Sequence, residues 1–171
     1  MRLEPLTGRH DRNGFDCGVE VLNLWLKQTA LQHQGKGVSR TFVAVPADEA
    51  AVQSWAQSGY AVEANGILGF YALSSAFVLI DDLPPKQARH YPRQIPVTRL
   101  GRLAIQADMQ GQRLGQLLLA DAVNRARAAA QAVGSAGLFV DAKNETAARF
   151  YQRYGFTSST DQPLKLFLSL W

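Results

Sequence analysis

Apolar residues change their spacing several times along this chain, and each change marks an element. Arg2–Leu6 reads as a short first strand before Thr7-Gly8. Within Cys17–Gln34 the positions Val21, Leu22, Trp25, Leu26, Thr29, Ala30 and Leu31 recur at helical spacing, with a split into two helices expected. Gly35-Lys36-Gly37 ends that run, and the β-branched and aromatic Thr41–Val45 follows as a strand. Pro46–Asn65, rich in Ala, Gln and Ser, reads as a hairpin connection with a helical insertion. Gly66–Ser74 and Phe77–Ile80 read as two adjacent strands, the second closed by Asp81-Asp82-Leu83-Pro84-Pro85. Pro84–Pro96 holds four prolines and reads as a surface excursion without an element of its own. Val97–Ile105 returns as a strand. A long helix is expected over Gln112–Val133, with the stripe Leu114, Leu118, Ala122, Val123, Ala126, Ala130 and Val133. Gly134–Gly137 terminates it. Leu138–Ala142 is a buried strand, and Glu145–Tyr154 is a helix whose inner face carries Ala147, Phe150, Tyr151 and Tyr154. Leu164–Leu170 alternates as the last strand. This order predicts a mixed α/β sheet with helices on both faces.

Length and composition narrow the picture. A chain of 171 residues reads as one domain, 1–171, without repeat or linker, and 47% apolar content is ordinary for a globular fold. The net charge of +4 permits a polyanionic partner without demanding one. Its distribution is more telling: Pro84–Ala107 carries Lys86, Arg89, Arg93, Arg99, Arg102 and His90 and neither Asp nor Glu. That stretch is either solvated charge or an anion-facing rim. Cys17 is the single cysteine, which fits a reducing compartment. Met1–Pro5 lacks the apolar core of a signal peptide, and no apolar run is long enough to span a bilayer. A cytoplasmic protein with no membrane association is expected.

The candidate chemistry lies in the second half. Gln110-Gly111-Gln112-Arg113-Leu114-Gly115 follows a strand and opens a helix. Glycine lets the backbone approach a ligand, and the free amides and dipole of a helix start attract a diphosphate. The preceding Leu103-Ala104-Ile105 offers main-chain groups for strand-like pairing with an extended ligand. These residues resemble the Gln/Arg-x-x-Gly-x-Gly/Ala motif of the GNAT acyltransferase superfamily. Gln110, Gly115 and the spacing match, Arg113 stands where Gly is usual, and Gly111 supplies an earlier glycine. The Arg113 guanidinium either meets a phosphate or points outward.

The resemblance implies an α/β GNAT fold: a single central, mixed, mostly antiparallel sheet flanked by helices, with a V-shaped opening at the coenzyme A site. It implies acetyl-CoA as co-substrate. It also implies coenzyme contacts from Leu103, Ala104, Ile105, Gln110, Gly111, Gln112, Arg113, Leu114, Gly115, Gln116, Asn144, Ala147 and Phe150. Asn144 doubles as a helix cap. In the family the Tyr that follows Phe protonates the departing thiolate, which implies Tyr151 here. A phenol near pKa 10 keeps its proton at neutral pH and can donate to a developing thiolate. Tyr154 is the competing candidate, and core packing is the ordinary reading of either ring.

Amine chemistry then weighs between acceptors. A lysine or polyamine nitrogen near pKa 10.4 is protonated at pH 7 and needs a base. An α-amino group at about 7.7–8.0, lowered further by an adjacent ester, needs little help. If that amine hangs from a nucleic acid, Lys36, Arg40, Arg89, Arg93, Arg99 and Arg102 become candidate contacts. The chain also resembles the GNAT toxins of type II toxin–antitoxin modules, which acetylate aminoacyl-tRNA and so inhibit translation. The stretches that carry the likeness are Phe15-Asp16-Cys17-Gly18, Gly37–Phe42, Gly69–Leu73, Ile95-Pro96-Val97, Leu100–Ile105 and Val140–Asn144. That resemblance implies a cognate antitoxin, usually of ribbon-helix-helix type, and often a homodimer. Two rivals share the motifs: an acetyltransferase of a small amine, peptide or antibiotic, and a non-catalytic coenzyme A-binding regulator. His10, His33 and His90 form no ligand pair at helical spacing, so no metal is expected.

Overall fold

The computed structural model describes residues 1–171. In chain order the elements are β1 (Arg2–Pro5), α1 (Glu20–Gln28), α2 (Ala30–Gly35), β2 (Arg40–Val45), α3 (Glu49–Gln57), β3 (Gly69–Leu79), α4 (Pro85–Ala88), β4 (Gln94–Ile105), α5 (Leu114–Val133), β5 (Gly137–Asp141), α6 (Glu145–Arg153), β6 (Thr157–Ser158) and β7 (Lys165–Ser169). The strands form one open seven-stranded sheet in the order β1-β2-β3-β4-β5-β7-β6. It is mixed: β1–β2, β5–β7 and β6–β7 pair antiparallel, and β4–β5 pair parallel. The parallel register sets Thr98 opposite Leu138 and Arg99 opposite Phe139, near the middle of β4.

The chain divides into two compact units, Met1–Ala72 with Arg102–Asp121, and Leu73–Gly101 with Ala122–Trp171. The first has a core of Leu6, Phe15, Trp25, Leu26, Val43, Val45, Ile67 and Phe70. Trp25 lies flat against Phe70, with centroids 6.1 Å apart, and Phe15 meets the same ring edge-on at 5.4 Å. Trp25 and Leu26 come from α1, Val43 and Val45 from alternate positions of β2 and Phe70 from β3, whereas Leu6, Phe15 and Ile67 come from connecting segments. Val21, expected in the helical stripe, is 76% exposed. Gly69 is a packing requirement. A Cβ there would lie 2.9 Å from each of Ala104 O, Ile105 Cδ1 and Leu118 Cδ1, so only glycine lets β3 approach β4 and α5 this closely. Gln34 fastens α2 to β2, donating from Nε2 to Leu6 O at 2.8 Å and accepting at Oε1 from Thr41 N at 3.1 Å.

The second unit packs Val78, Leu83, Ile95, Val97, Phe139 and Phe167. Lys165 Nζ donates to Asp82 Oδ1 at 2.9 Å. Burial alone would raise the Asp82 pKa, but the lysine and the Leu79 N–H outweigh it and hold the carboxyl below its ordinary range.

Several expectations are corrected. The strands expected at Gly66–Ser74 and Phe77–Ile80 are one, Gly69–Leu79, because Ser74-Ser75-Ala76 stays extended and Ser74–Leu79 alternates in burial. The proline-rich excursion contains the single-turn helix α4, started by Pro85 at its first position, where a missing N–H costs nothing. β4 begins at Gln94 and runs through Pro96, whose carbonyl accepts from Ala136 N at 2.9 Å. Val133, counted in the apolar stripe of α5, is 89% exposed in the last turn. On α6 the buried residues are Ala148 and Tyr151; Ala147 and Phe150 are half-buried and Tyr154 is exposed.

Candidate active site

β4 ends at Ile105, and the chain makes a 3₁₀ turn over Ala107–Met109 before reaching Gln110. Two backbone reversals follow: Gly111 at φ +85° and Arg113 at φ +62°. Glycine adopts the first freely, whereas a side chain in the left-handed region costs about 1–2 kcal/mol. Arg113, exposed, occupies the motif position where Gly is usual, and the backbone keeps the conformation that glycine favours. That strain is localised where the chain enters α5, a pattern that belongs to ligand-binding turns.

α5 is 20 residues long and has no acidic side chain in its first turn. The first i→i−4 bond of the helix is donated by Leu117 N to Arg113 O at 3.4 Å, so the amides of Leu114, Gly115 and Gln116 have no acceptor within the helix, the condition under which a helix start attracts an anion. Gln112 places its side-chain amide on the Tyr60 hydroxyl. Leu103 and Ile105 are half-buried and Ala104 is buried, so these three residues sit on the wall leading into the turn. The arrangement fits a diphosphate, with donors free, no carboxylate at the helix start, and close backbone approach.

α6 belongs to the second unit. Asn144 caps it, its Oδ1 accepting from Ala147 N at 2.9 Å. Tyr151 is 8% exposed and packs between Phe150, at 5.2 Å, and Phe156, at 5.4 Å. Burial pushes its pKa up from 10.0 to about 12. It is therefore a protonated hydroxyl across the physiological range and cannot serve as a base. Tyr154, one turn on, is exposed and edges against Phe150 at 5.2 Å. The apolar cage around Tyr151 distinguishes it from the exposed Tyr154.

The basic candidates divide by environment. Lys36, Arg40, Arg89 and Arg93 are exposed. Arg99 pairs with Asp141 at 2.5 Å. Arg102 is half-buried, with its guanidinium carbon 4.0 Å from the Trp25 ring centroid. Trp25, expected only as an apolar position of the helical stripe, is also a platform for Arg102. Cys17 is buried, with Sγ 3.6 Å from Val19 O. No group of three or more His, Cys, Asp or Glu is placed to hold a metal, and no helix is long and apolar enough to cross a membrane.

Residues that sequence reasoning left without a role are Asp16, Asn23 and Gln106. Asp16 N donates to Gln106 Oε1 at 3.1 Å, and Asn23 Nδ2 donates to the Asp16 carboxylate at 2.9 Å. The signal was present in the Phe15-Asp16-Cys17-Gly18 stretch, which is the turn these bonds organise.

Comparison with known proteins agrees with this geometry. The model of the acetyltransferase (GNAT) domain matches residues 60–158, a span that includes Gln110–Gln116, Asn144 and Tyr151. A curated tRNA-acetylating toxin of Mycobacterium tuberculosis is 33% identical over 158 residues, covering 92% of this chain and 85% of the relative. The crystal structure of a tyrosine-to-phenylalanine mutant of KacT superposes with a TM-score of 0.85 at 32% identity, over 99% of this chain and 94% of that one. AtaT complexed with acetyl-methionyl-tRNAfMet gives 0.82 at 31% identity, over 98% and 94%. A mutant AtaT toxin bound to the C-terminus of the antitoxin AtaR and acetyl-CoA gives 0.75 at 29% identity, over 99% and 92%. The helix-start turn, the caged tyrosine and these matches together place the chain in the GNAT acetyltransferase family.

Proposed function

We propose that this chain is a single GNAT domain that transfers the acetyl group of acetyl-CoA to the α-amino group of an aminoacyl-tRNA, and so acts as a translation-inhibiting toxin. The observation that carries the reading is the entrance to α5. Two left-handed residues precede a 20-residue helix with no carboxylate in its first turn. In this reading the amides of Gln112–Gln116 hold the diphosphate. The guanidinium of Arg113 adds a charge-assisted bond, and the main chain of Leu103–Ile105 pairs with the pantetheine arm. The likeness to the family assigns Asn144, Ala147 and Phe150 of α6 to the coenzyme as well.

Tyr151 donates its O–H to the thioester sulfur as the C–S bond breaks. Burial keeps that hydroxyl protonated, with its pKa pushed up to about 12. The hydroxyl therefore stabilises the developing thiolate as a hydrogen-bond donor, and the proton shed by the acylated nitrogen neutralises it. No base of this chain is required for an α-amine that is already substantially neutral near pH 8.

The likeness to a tRNA-acetylating toxin and to AtaT supports charged tRNA as acceptor. Of the basic candidates, the exposed Lys36, Arg40, Arg89 and Arg93 would meet its phosphates, whereas Arg99 and Arg102 would do so only on leaving Asp141 or Trp25. A cognate antitoxin of ribbon-helix-helix type, a homodimer and a cytoplasmic location complete the reading. The test is thiol release from acetyl-CoA in the presence of bulk charged tRNA, set against a panel of free amines and peptides. Charged tRNA should be the preferred acceptor by orders of magnitude in kcat/KM. Equal or better use of a small amine would overturn the tRNA assignment and leave the acetyltransferase intact.

A further inference from the structure

The segment between β4 and the diphosphate turn is fastened to a distant part of the same unit. Asp16 uses both of its main-chain groups: its N–H donates to Gln106 Oε1 at 3.1 Å, and its carbonyl accepts from Ala107 N at 2.8 Å. Gln110 closes the other end. Its Nε2 donates to Cys17 O and to Ile105 O, each at 3.1 Å. Residues 105–110 are therefore pinned at entry and exit, directly ahead of Gly111.

The turn that does the pinning is itself rigid. Gly18 sits at φ +85°. The Asp16 carboxylate accepts from Gly18 N and from Asn23 Nδ2, both at 2.9 Å. Asn23 is 3% exposed, and its Oδ1 accepts from Cys17 N at 2.9 Å. A buried amide with both ends committed fixes the turn, because a lost partner there leaves an unsatisfied polar group.

We propose that Gln106 and Gln110 are positioning residues for the coenzyme, acting through the Asp16–Cys17 turn to preset the diphosphate-binding backbone. This inference rests on the coenzyme A reading given above. Gln110 then has a role for its side chain as well as for its place in the motif. Preorganisation of this kind lowers the ordering cost of binding and leaves the chemical step alone.

The experiment compares wild type, Gln106→Met and Gln110→Met, which keep chain length and neutrality while removing the hydrogen-bonding group. Calorimetry with coenzyme A gives Kd, initial rates give KM for acetyl-CoA and kcat separately, and circular dichroism melting checks the fold. Both variants should bind coenzyme A about tenfold more weakly, with KM raised in proportion and kcat at saturation unchanged. Wild-type Kd in both variants overturns the proposal. So does a loss confined to Gln110→Met, which makes Gln110 a direct contact, and so does a fall in kcat at unchanged KM. If wild type itself binds no coenzyme A, the coenzyme reading fails instead, and the two failures are distinct.

Discussion

Replacing Arg113 separates backbone strain from charge at the turn that opens α5. Arg113 holds φ +62°, where a residue with a Cβ is disfavoured by about 1–2 kcal/mol. Arg113→Gly removes that penalty but gives about 0.5–1 kcal/mol back through the greater freedom of glycine in the unfolded chain. The net expectation is a gain of about 0.5–1 kcal/mol, which for a chain of 171 residues raises the melting temperature by about 1–4 °C. Arg113→Ala keeps the strained conformation and should melt near wild type. Both variants lose the guanidinium. If it meets a phosphate, coenzyme A affinity falls several-fold in each, the size of one exposed charge-assisted bond. The assay is thermal unfolding of the three proteins followed by titration with coenzyme A. A melting temperature for Arg113→Gly at or below that of Arg113→Ala would refute the strain argument.

The remaining expectations test other links. Tyr151→Phe should keep the fold and lower kcat about 100-fold or more, measured by thiol release at saturating substrates. The same variant reports on alkaline stability. The folded pKa of Tyr151 is raised to about 12 from 10.0, so its stabilising contribution is complete below pH 10 and is lost as pH rises through 12. Urea unfolding should show wild type losing about 2–3 kcal/mol more than Tyr151→Phe between those limits; parallel curves would contradict the buried phenol. Gly69→Ala sets a Cβ 2.9 Å from Ala104 O and two side-chain carbons and should cost about 1–3 kcal/mol in denaturant unfolding. Asn144→Ala should cost about 1 kcal/mol through the lost cap, and Asn144→Ser should restore stability. If Asn144→Ser also restores coenzyme A affinity, Asn144 acts as a cap alone.

The elements legible in the sequence were those whose packing is local. The split of α1 from α2 and most of the α5 stripe follow from apolar spacing, the insertion α3 follows from an Ala-, Gln- and Ser-rich composition, and the turn that opens α5 follows from Gln110, Gly111 and Gly115 on a strand-to-helix junction. What escaped depends on partners far away in sequence. Ser74-Ser75-Ala76 looks like a break because its residue types are weak strand formers, yet neighbouring strands hold it extended. Arg102 looks like a free cation, but Trp25 lies beneath it from more than seventy residues earlier. Arg99 carries a carboxylate from β5. Asp16 meets Gln106 and Ala107 through main-chain groups, which leave no trace in residue type, while its carboxylate organises the turn. Arg113 was visible as a departure from the motif, but its left-handed backbone, the feature that preserves the turn, was not.

The central claim is tested most directly by incubating the protein and acetyl-CoA with bulk charged tRNA, digesting to nucleosides and weighing the aminoacyl-adenosines by mass spectrometry. The account predicts N-acetyl-aminoacyl-adenosine for at least one amino acid, dependent on acetyl-CoA and strongly reduced with Tyr151→Phe. Folded protein that consumes acetyl-CoA while every aminoacyl ester stays unmodified would contradict it.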